Sequence, residues 1–107
     1  MNIEDLRLYA LSLPDALEDF PFGDDVIVFK VNNKIFLLLP LNVEGLRFNV
    51  KCNPEYALEL REQYSCIQPG YHMNKKHWNT IFADGTLSAA QLKQFIYDSY
   101  LLVNKRK

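Results

Sequence analysis

The densest chemistry in the chain lies in Pro69-Gly70-Tyr71-His72-Met73-Asn74-Lys75-Lys76-His77-Trp78-Asn79-Thr80, which gathers two ammonium groups, two imidazoles, two carboxamides and two large aromatic rings. That mixture suits a polyanion. Lysines neutralise phosphates, asparagine hydrogen-bonds base edges or phosphate oxygens, and an exposed Trp or Tyr ring can stack on a base. Upstream, Leu46, Phe48 and Val50 alternate with Arg47, Asn49 and Lys51, a half-buried strand whose wet side is cationic and could continue the same surface. Plainer roles fit these residues too: Trp78 as a core ring, Pro69-Gly70 as a turn, Lys75-Lys76 as a solvated loop. The basic tail Lys105-Arg106-Lys107 would favour the C-terminal end of its own helix without any ligand.

Other chemistries find less support. Cys52, Cys66, His72 and His77 could make a Cys2His2 set, but no CxxC or HxxxH spacing anchors it, so no metal is expected. Cys52 directly precedes a helix N-cap, where a thiolate would be favoured, yet a lone cysteine more often packs as a small apolar residue. Asp15, Glu18, Asp19, Asp24 and Asp25 could offer oxygen ligands to a hard cation, but without calcium-loop spacing a solvated acidic loop explains them. GxSxG, P-loop, dinucleotide and HExxH patterns are absent. The expectation is a binding module, not an enzyme, with no cofactor.

The elements that must position these groups follow from periodicity. The 107 residues suit one domain spanning 1–107, and an apolar share of 49% with seven Phe, six Tyr and one Trp supports a folded chain. No apolar run approaches the roughly 20 residues that cross a bilayer, and the acidic start lacks a signal-peptide pattern. A cytoplasmic protein without a membrane partner is expected. The net charge is −1, unevenly spread. Residues 1–25 hold seven carboxylates against Arg7, and residues 26–107 hold eleven Lys/Arg against six carboxylates, which predicts an acidic and a basic face.

Ile3, Leu6, Ala10 and Leu13 form a helical stripe behind Asn2 as N-cap, and the segment from Leu17 to Asp25 reads as an acidic loop. Val26–Val31 and Lys34–Leu39 flank Asn32-Asn33, a hairpin signal, because asparagine tolerates positive φ. Asn53-Pro54 starts a second helix with the stripe Ala57, Leu60 and Tyr64. His77–Phe82 reads as a strand. Ser88 with Gln91 forms a capping box for a last helix, with Leu92, Phe95, Ile96, Ser99 and Val103 inward. The predicted class is α+β, order α-β-β-β-α-β-α, an antiparallel sheet with helices packed on one face.

Phe20-Pro21-Phe22-Gly23, Val28-Phe29-Lys30-Val31, Lys51-Cys52-Asn53-Pro54-Glu55 and above all the 69–80 segment resemble the MmcQ/YjbR family, as do Asp84-Gly85 and Ser99-Tyr100. The likeness covers essentially the whole chain. It implies a CyaY-like (frataxin-like) fold in bacterial cytoplasm. Family members are described as predicted DNA-binding proteins with a double-wing arrangement of β-hairpins. The family motif falls on Lys51, Tyr71, His72, Asn74, Lys76, His77, Trp78 and Asn79.

Together these readings give a small, monomeric DNA-binding module. Lys51, Lys75 and Lys76 would neutralise phosphates, Arg47 would extend the patch, and Asn74, His77 and Asn79 would hydrogen-bond. The competing class is a protein- or small-ligand-binding domain with residues 71–79 lining a pocket, which burial of Trp78 and His72 would favour. Frataxin-like cation binding by the acidic loop is a third option.

Overall fold

The three helices among the described residues begin where side chains can serve their unpaired N–H groups. In the computed structural model, which describes residues 1–70 and 73–104, Asn2 and Asp5 exchange side-chain and backbone hydrogen bonds at the start of α1 (Ile3–Ser12). Asn53 accepts from the N–H groups of Glu55 and Tyr56 ahead of Pro54, the first residue of α2 (Pro54–Gln63). Ser88 and Gln91 close a second reciprocal box at α3 (Ala89–Val103). Each cap satisfies donors that the helix cannot pair itself. Among the described residues no helix is long and apolar enough to cross a membrane.

Among the described residues six antiparallel strands lie in the order β1-β2-β3-β4-β6-β5: β1 (Leu17–Asp19), β2 (Val26–Val31), β3 (Lys34–Pro40), β4 (Arg47–Lys51), β5 (Ile67–Pro69) and β6 (Trp78–Phe82). The predicted class and order hold. β2 and β3 turn at Asn32 and Asn33, whose φ angles of 51° and 63° give the left-handed pair of a tight hairpin. To the four expected strands the structure adds β1 and β5 as the two sheet edges, each three residues long. Leu17–Asp19, expected within an acidic loop, pairs with Val28–Lys30. Three residues are too few to display the alternation that marks a longer strand.

The helices cover one face. α3 lies across β3 and β4, α2 against β5, and α1 against α3. The main core fills this layer with Leu6, Phe29, Leu39, Phe48, Ile81 and Ile96, each 0% exposed. Tyr100 packs edge-on to Phe36 at 5.4 Å between centroids, and its hydroxyl donates to Pro14 O at 2.7 Å.

With Asn79, Ser99 is one of two buried polar residues among those described. Its hydroxyl donates to Phe36 O at 2.6 Å and accepts from Lys51 N at 2.9 Å, joining α3 to β3 and β4. Replacement by alanine leaves a backbone donor and a backbone acceptor without partners. Ser99→Ala is therefore expected to cost about 2 kcal/mol, read as a lower urea midpoint at unchanged m-value.

Candidate nucleic-acid interface

Among the described residues no helix packs on the sheet's other face. Strand alternation sends Phe48 and Val50 into the core and leaves Arg47, Asn49 and Lys51 half-buried on the opposite side. Register then builds a surface from neighbours: Lys51 pairs with Trp78, Asn49 with Thr80 and Leu38, Arg47 with Phe82, and Gln68 with Thr80. A second, smaller apolar cluster of Val28, Leu38 and Trp78, with Val26, Ile35 and Met73 against it, floors one end.

Arg47 and Lys51 share this helix-free face, with Asn49 between them on the strand. Lys75 and Lys76 occupy the turn that leads into β6, and that turn is bonded to the residue after β4, where Cys52 N donates to His77 O at 2.7 Å. Arg47, Lys51 and Lys76 make no ion pair with any described residue. Arg47 lies with its guanidinium carbon 5.5 Å from the centroid of the Phe82 ring. The carboxylates of β1 sit at the far edge of the sheet, three strand steps from β4 or roughly 14 Å. There Arg7 holds Glu18 through two bonds, at 2.6 and 2.8 Å, and Lys30 lies 3.4 Å from Asp19. The backbone N–H of Phe20 and then the Lys30 ammonium hold the Asp19 carboxyl below its usual value.

Individual residues of the 69–80 segment part company. Asn74 and Lys75–Lys76 are exposed and His77 is half-buried. The Asn74 side chain accepts from Lys76 N at 2.9 Å, and its carbonyl accepts from the N–H groups of His77 and Trp78, so this residue shapes the turn. Trp78 is only 8% exposed and Asn79 1%. The stacking role considered for Trp78 and the ligand-bonding role expected of Asn79 thus give way to structural ones, because neither side chain has surface to offer. Tyr71 and His72, also expected in the site, lie outside the described residues. Gly70 is required here for space: a Cβ would stand 3.0 Å from Trp78 Cβ and 3.2 Å from Trp78 O.

Arg61, on α2, holds this arrangement together and was not expected to. Its Nε donates to Asn79 Oδ1 at 2.6 Å, and Nη2 donates to Trp78 O at 3.2 Å and also to Lys75 O. Asn79 Nδ2 is buried without a partner among the described residues. A signal was present in the sequence: Ala57, Leu60, Arg61 and Tyr64 have the spacing of one helical stripe, so Arg61 belongs to the inner side of its helix.

The open face is concave beside the cations. A groove of about 360 Å³ is lined by Pro40, Val43, Arg47, Asn49, Gln68, Pro69, Thr80 and Phe82. Thr80 Oγ1 donates to Asn49 Oδ1 at 2.5 Å, and Gln68 Nε2 donates to Ser65 O at 2.7 Å.

His72 of the candidate Cys2His2 set lies outside the described residues. Among the described residues, no group of three or more His, Cys, Asp and Glu is placed to hold a metal ion. Burial, reinforced by the Asp98 carboxylate, pushes the Cys52 thiol up and opposes the thiolate considered for it; burial also raises the buried Cys66 thiol. Both cysteines should therefore react with iodoacetamide at pH 7.5 more slowly than free cysteine, and mass spectrometry of a timed alkylation checks this.

Known proteins share both sequence and shape. The family model described as YjbR matches residues 11–102. The uncharacterized protein YbdF of Escherichia coli O157:H7 is 41% identical over 101 residues, covering 94% of this chain and 82% of that one. The uncharacterized protein YjbR of Escherichia coli strain K12 is 30% identical over 100 residues, covering 94% and 85%. The crystal structure of Deinococcus radiodurans DR2400, a DUF419 domain, superposes with a TM-score of 0.91 at 42% identity, covering 98% and 80%. That of a Pseudomonas syringae protein gives 0.80 at 32% identity, covering 95% and 98%. None of these descriptions names a ligand or a reaction.

Proposed function

The chain belongs to the YjbR family, and from that premise we propose that it is a nucleic-acid-binding module using the helix-free face of its sheet. One observation carries the reading. Lys51 lies on that face opposite Trp78, just after the Lys75–Lys76 turn, and Arg47 lies on the same face at the other end of β4, opposite Phe82, while Glu18 and Asp19 are held at the β1 edge by Arg7 and Lys30. A polyanion approaching the β4–β6 side meets Arg47, Lys51 and Lys76, which have no described ion pair, whereas the cations of the β1 edge, Arg7 and Lys30, are engaged by Glu18 and Asp19. That asymmetry orients an encounter even at a net charge of −1. Phosphates would meet Arg47, Lys51, Lys75 and Lys76. Asn74 and His77 stand at the turn beside them, and Trp78, Asn79 and Arg61 hold that turn in place.

The test is fluorescence anisotropy with labelled single-stranded and duplex DNA over a salt series. Binding that weakens linearly in log Kd against log salt supports the reading, because the slope counts displaced counterions. Absence of salt-sensitive binding to either form at low ionic strength removes it.

Burial of Trp78 favours the second reading, a small-ligand site on the same face. A small-molecule thermal-shift screen separates the two, since a ligand that binds only the native state raises Tm. Cation binding by the acidic N-terminal segment has less behind it, as Glu18 and Asp19 already have cationic partners.

A further inference from the structure

We infer that the groove on the helix-free face seats one unstacked base of a single-stranded nucleic acid, a reading that rests on the proposed function and narrows it to the type of strand. At about 360 Å³ the groove has the size of a small-ligand site. Its apolar lining is Pro40 and Val43 towards β3 and the Phe82 ring on β6, with Pro69 at the β5 edge. Such a lining suits the faces of a planar heterocycle. The polar groups suit its edge. With Oδ1 engaged by Thr80, the half-buried Asn49 keeps its amide nitrogen as a donor, and with Nε2 engaged by Ser65, Gln68 keeps its carbonyl oxygen as an acceptor.

Charge decides between a base in a strand and a neutral heterocycle. Arg47 brings a guanidinium onto Phe82 at the groove's edge, and no described carboxylate pairs with it. Lys51 lies two residues beyond Asn49 on the same strand face, roughly 7 Å away. Cations thus flank the groove along the strand, as a base with a phosphate on either side requires. A base inside a duplex cannot enter, because its ring faces are stacked and its edge is paired; an unstacked base in a single strand offers both.

The experiment compares a labelled oligothymidylate, an abasic strand of equal length and a duplex of equal length, all at one low salt concentration. The intact strand is expected to bind at least roughly tenfold more tightly than the abasic one, and more tightly than the duplex. Val43→Trp, at a loop position on the groove wall, fills the groove without removing a cation. It should bring the intact strand down to the abasic level and leave abasic binding unchanged. Thr80→Val, which keeps the side-chain shape but frees Asn49 Oδ1, should narrow the same gap and serves if Val43→Trp does not fold. Equal binding of intact and abasic strands, or duplex binding as tight as the single strand, overturns the base seat while the phosphate-contact reading survives. A free mononucleotide binding as tightly as the oligonucleotide assigns the groove to a small nucleotide and overturns it too. Failure of every oligonucleotide to bind overturns both readings.

Discussion

Arg61→Ala is expected to lower stability by about 3 kcal/mol, more than its place on a charged helix would suggest. The substitution removes the donor to Asn79 Oδ1 in a side chain that is 1% exposed and whose Nδ2 already has no described partner. The whole carboxamide would then be buried without its bond to Arg61. The carbonyls of Lys75 and Trp78 lose a cationic donor at the same time. Hydrogen bonds to charged groups are worth about 1.5–3 kcal/mol each, and a stranded buried amide costs about 1–3 kcal/mol, so the sum is discounted because Arg61 is itself half-exposed. Urea unfolding gives the magnitude. Hydrogen exchange locates it, with the amides of His77 and Trp78, which donate to Asn74 O, losing protection first. Arg61→Lys keeps the charge but not the fork that reaches three acceptors, so it should recover only part of the loss. A change below about 0.5 kcal/mol for Arg61→Ala would mean that the turn before β6 is held by other contacts.

Arg47→Ala combined with Lys51→Ala should weaken binding of single-stranded DNA by roughly 30-fold at low salt, taking about 1 kcal/mol for each exposed cation–phosphate contact. The log–log salt slope should become shallower by about 1.4, at roughly 0.7 per phosphate on a single strand. Lys75→Ala with Lys76→Ala should reduce the slope on duplex DNA by about two units. Stability is the control. Arg47 and Lys51 have no described ion pair, and the loss of Arg47 from the Phe82 ring costs about 1–2 kcal/mol, so a folded protein with a modestly lower Tm is expected. An unchanged slope in both double variants would place any nucleic-acid contact elsewhere than the β4–β6 face.

Charge sorting was partly legible. Counting carboxylates and cations along the chain already separated an acidic first quarter from a basic remainder. Translating that into surfaces needed the strand order, because β1 is adjacent to β2 and remote from β4 only once the sheet is assembled. Lys30 illustrates the limit: it belongs to the basic portion by position, yet it sits beside Asp19 across the β1–β2 pair.

The 69–80 segment marks the sharper boundary. Its composition singled it out, but composition could not tell Lys76, exposed in a turn, from Asn79, sealed beneath Arg61. What the chain settled alone was local. Asn2, Asn53-Pro54 and Ser88 with Gln91 set the helix starts, Asn32-Asn33 set the hairpin, and alternation from Leu46 to Lys51 set a strand with a cationic side. These depend on neighbours within about four positions, so the pattern and its cause lie in the same few residues. The tertiary structure decided what those elements meet: the edge strands β1 and β5, the burial of Trp78 and Asn79, the reach of Arg61 across to the turn, and the groove between Pro40 and Pro69. Burial and long-range hydrogen bonding are properties of the partner surface, and that surface exists only after residues far apart in the chain have packed together.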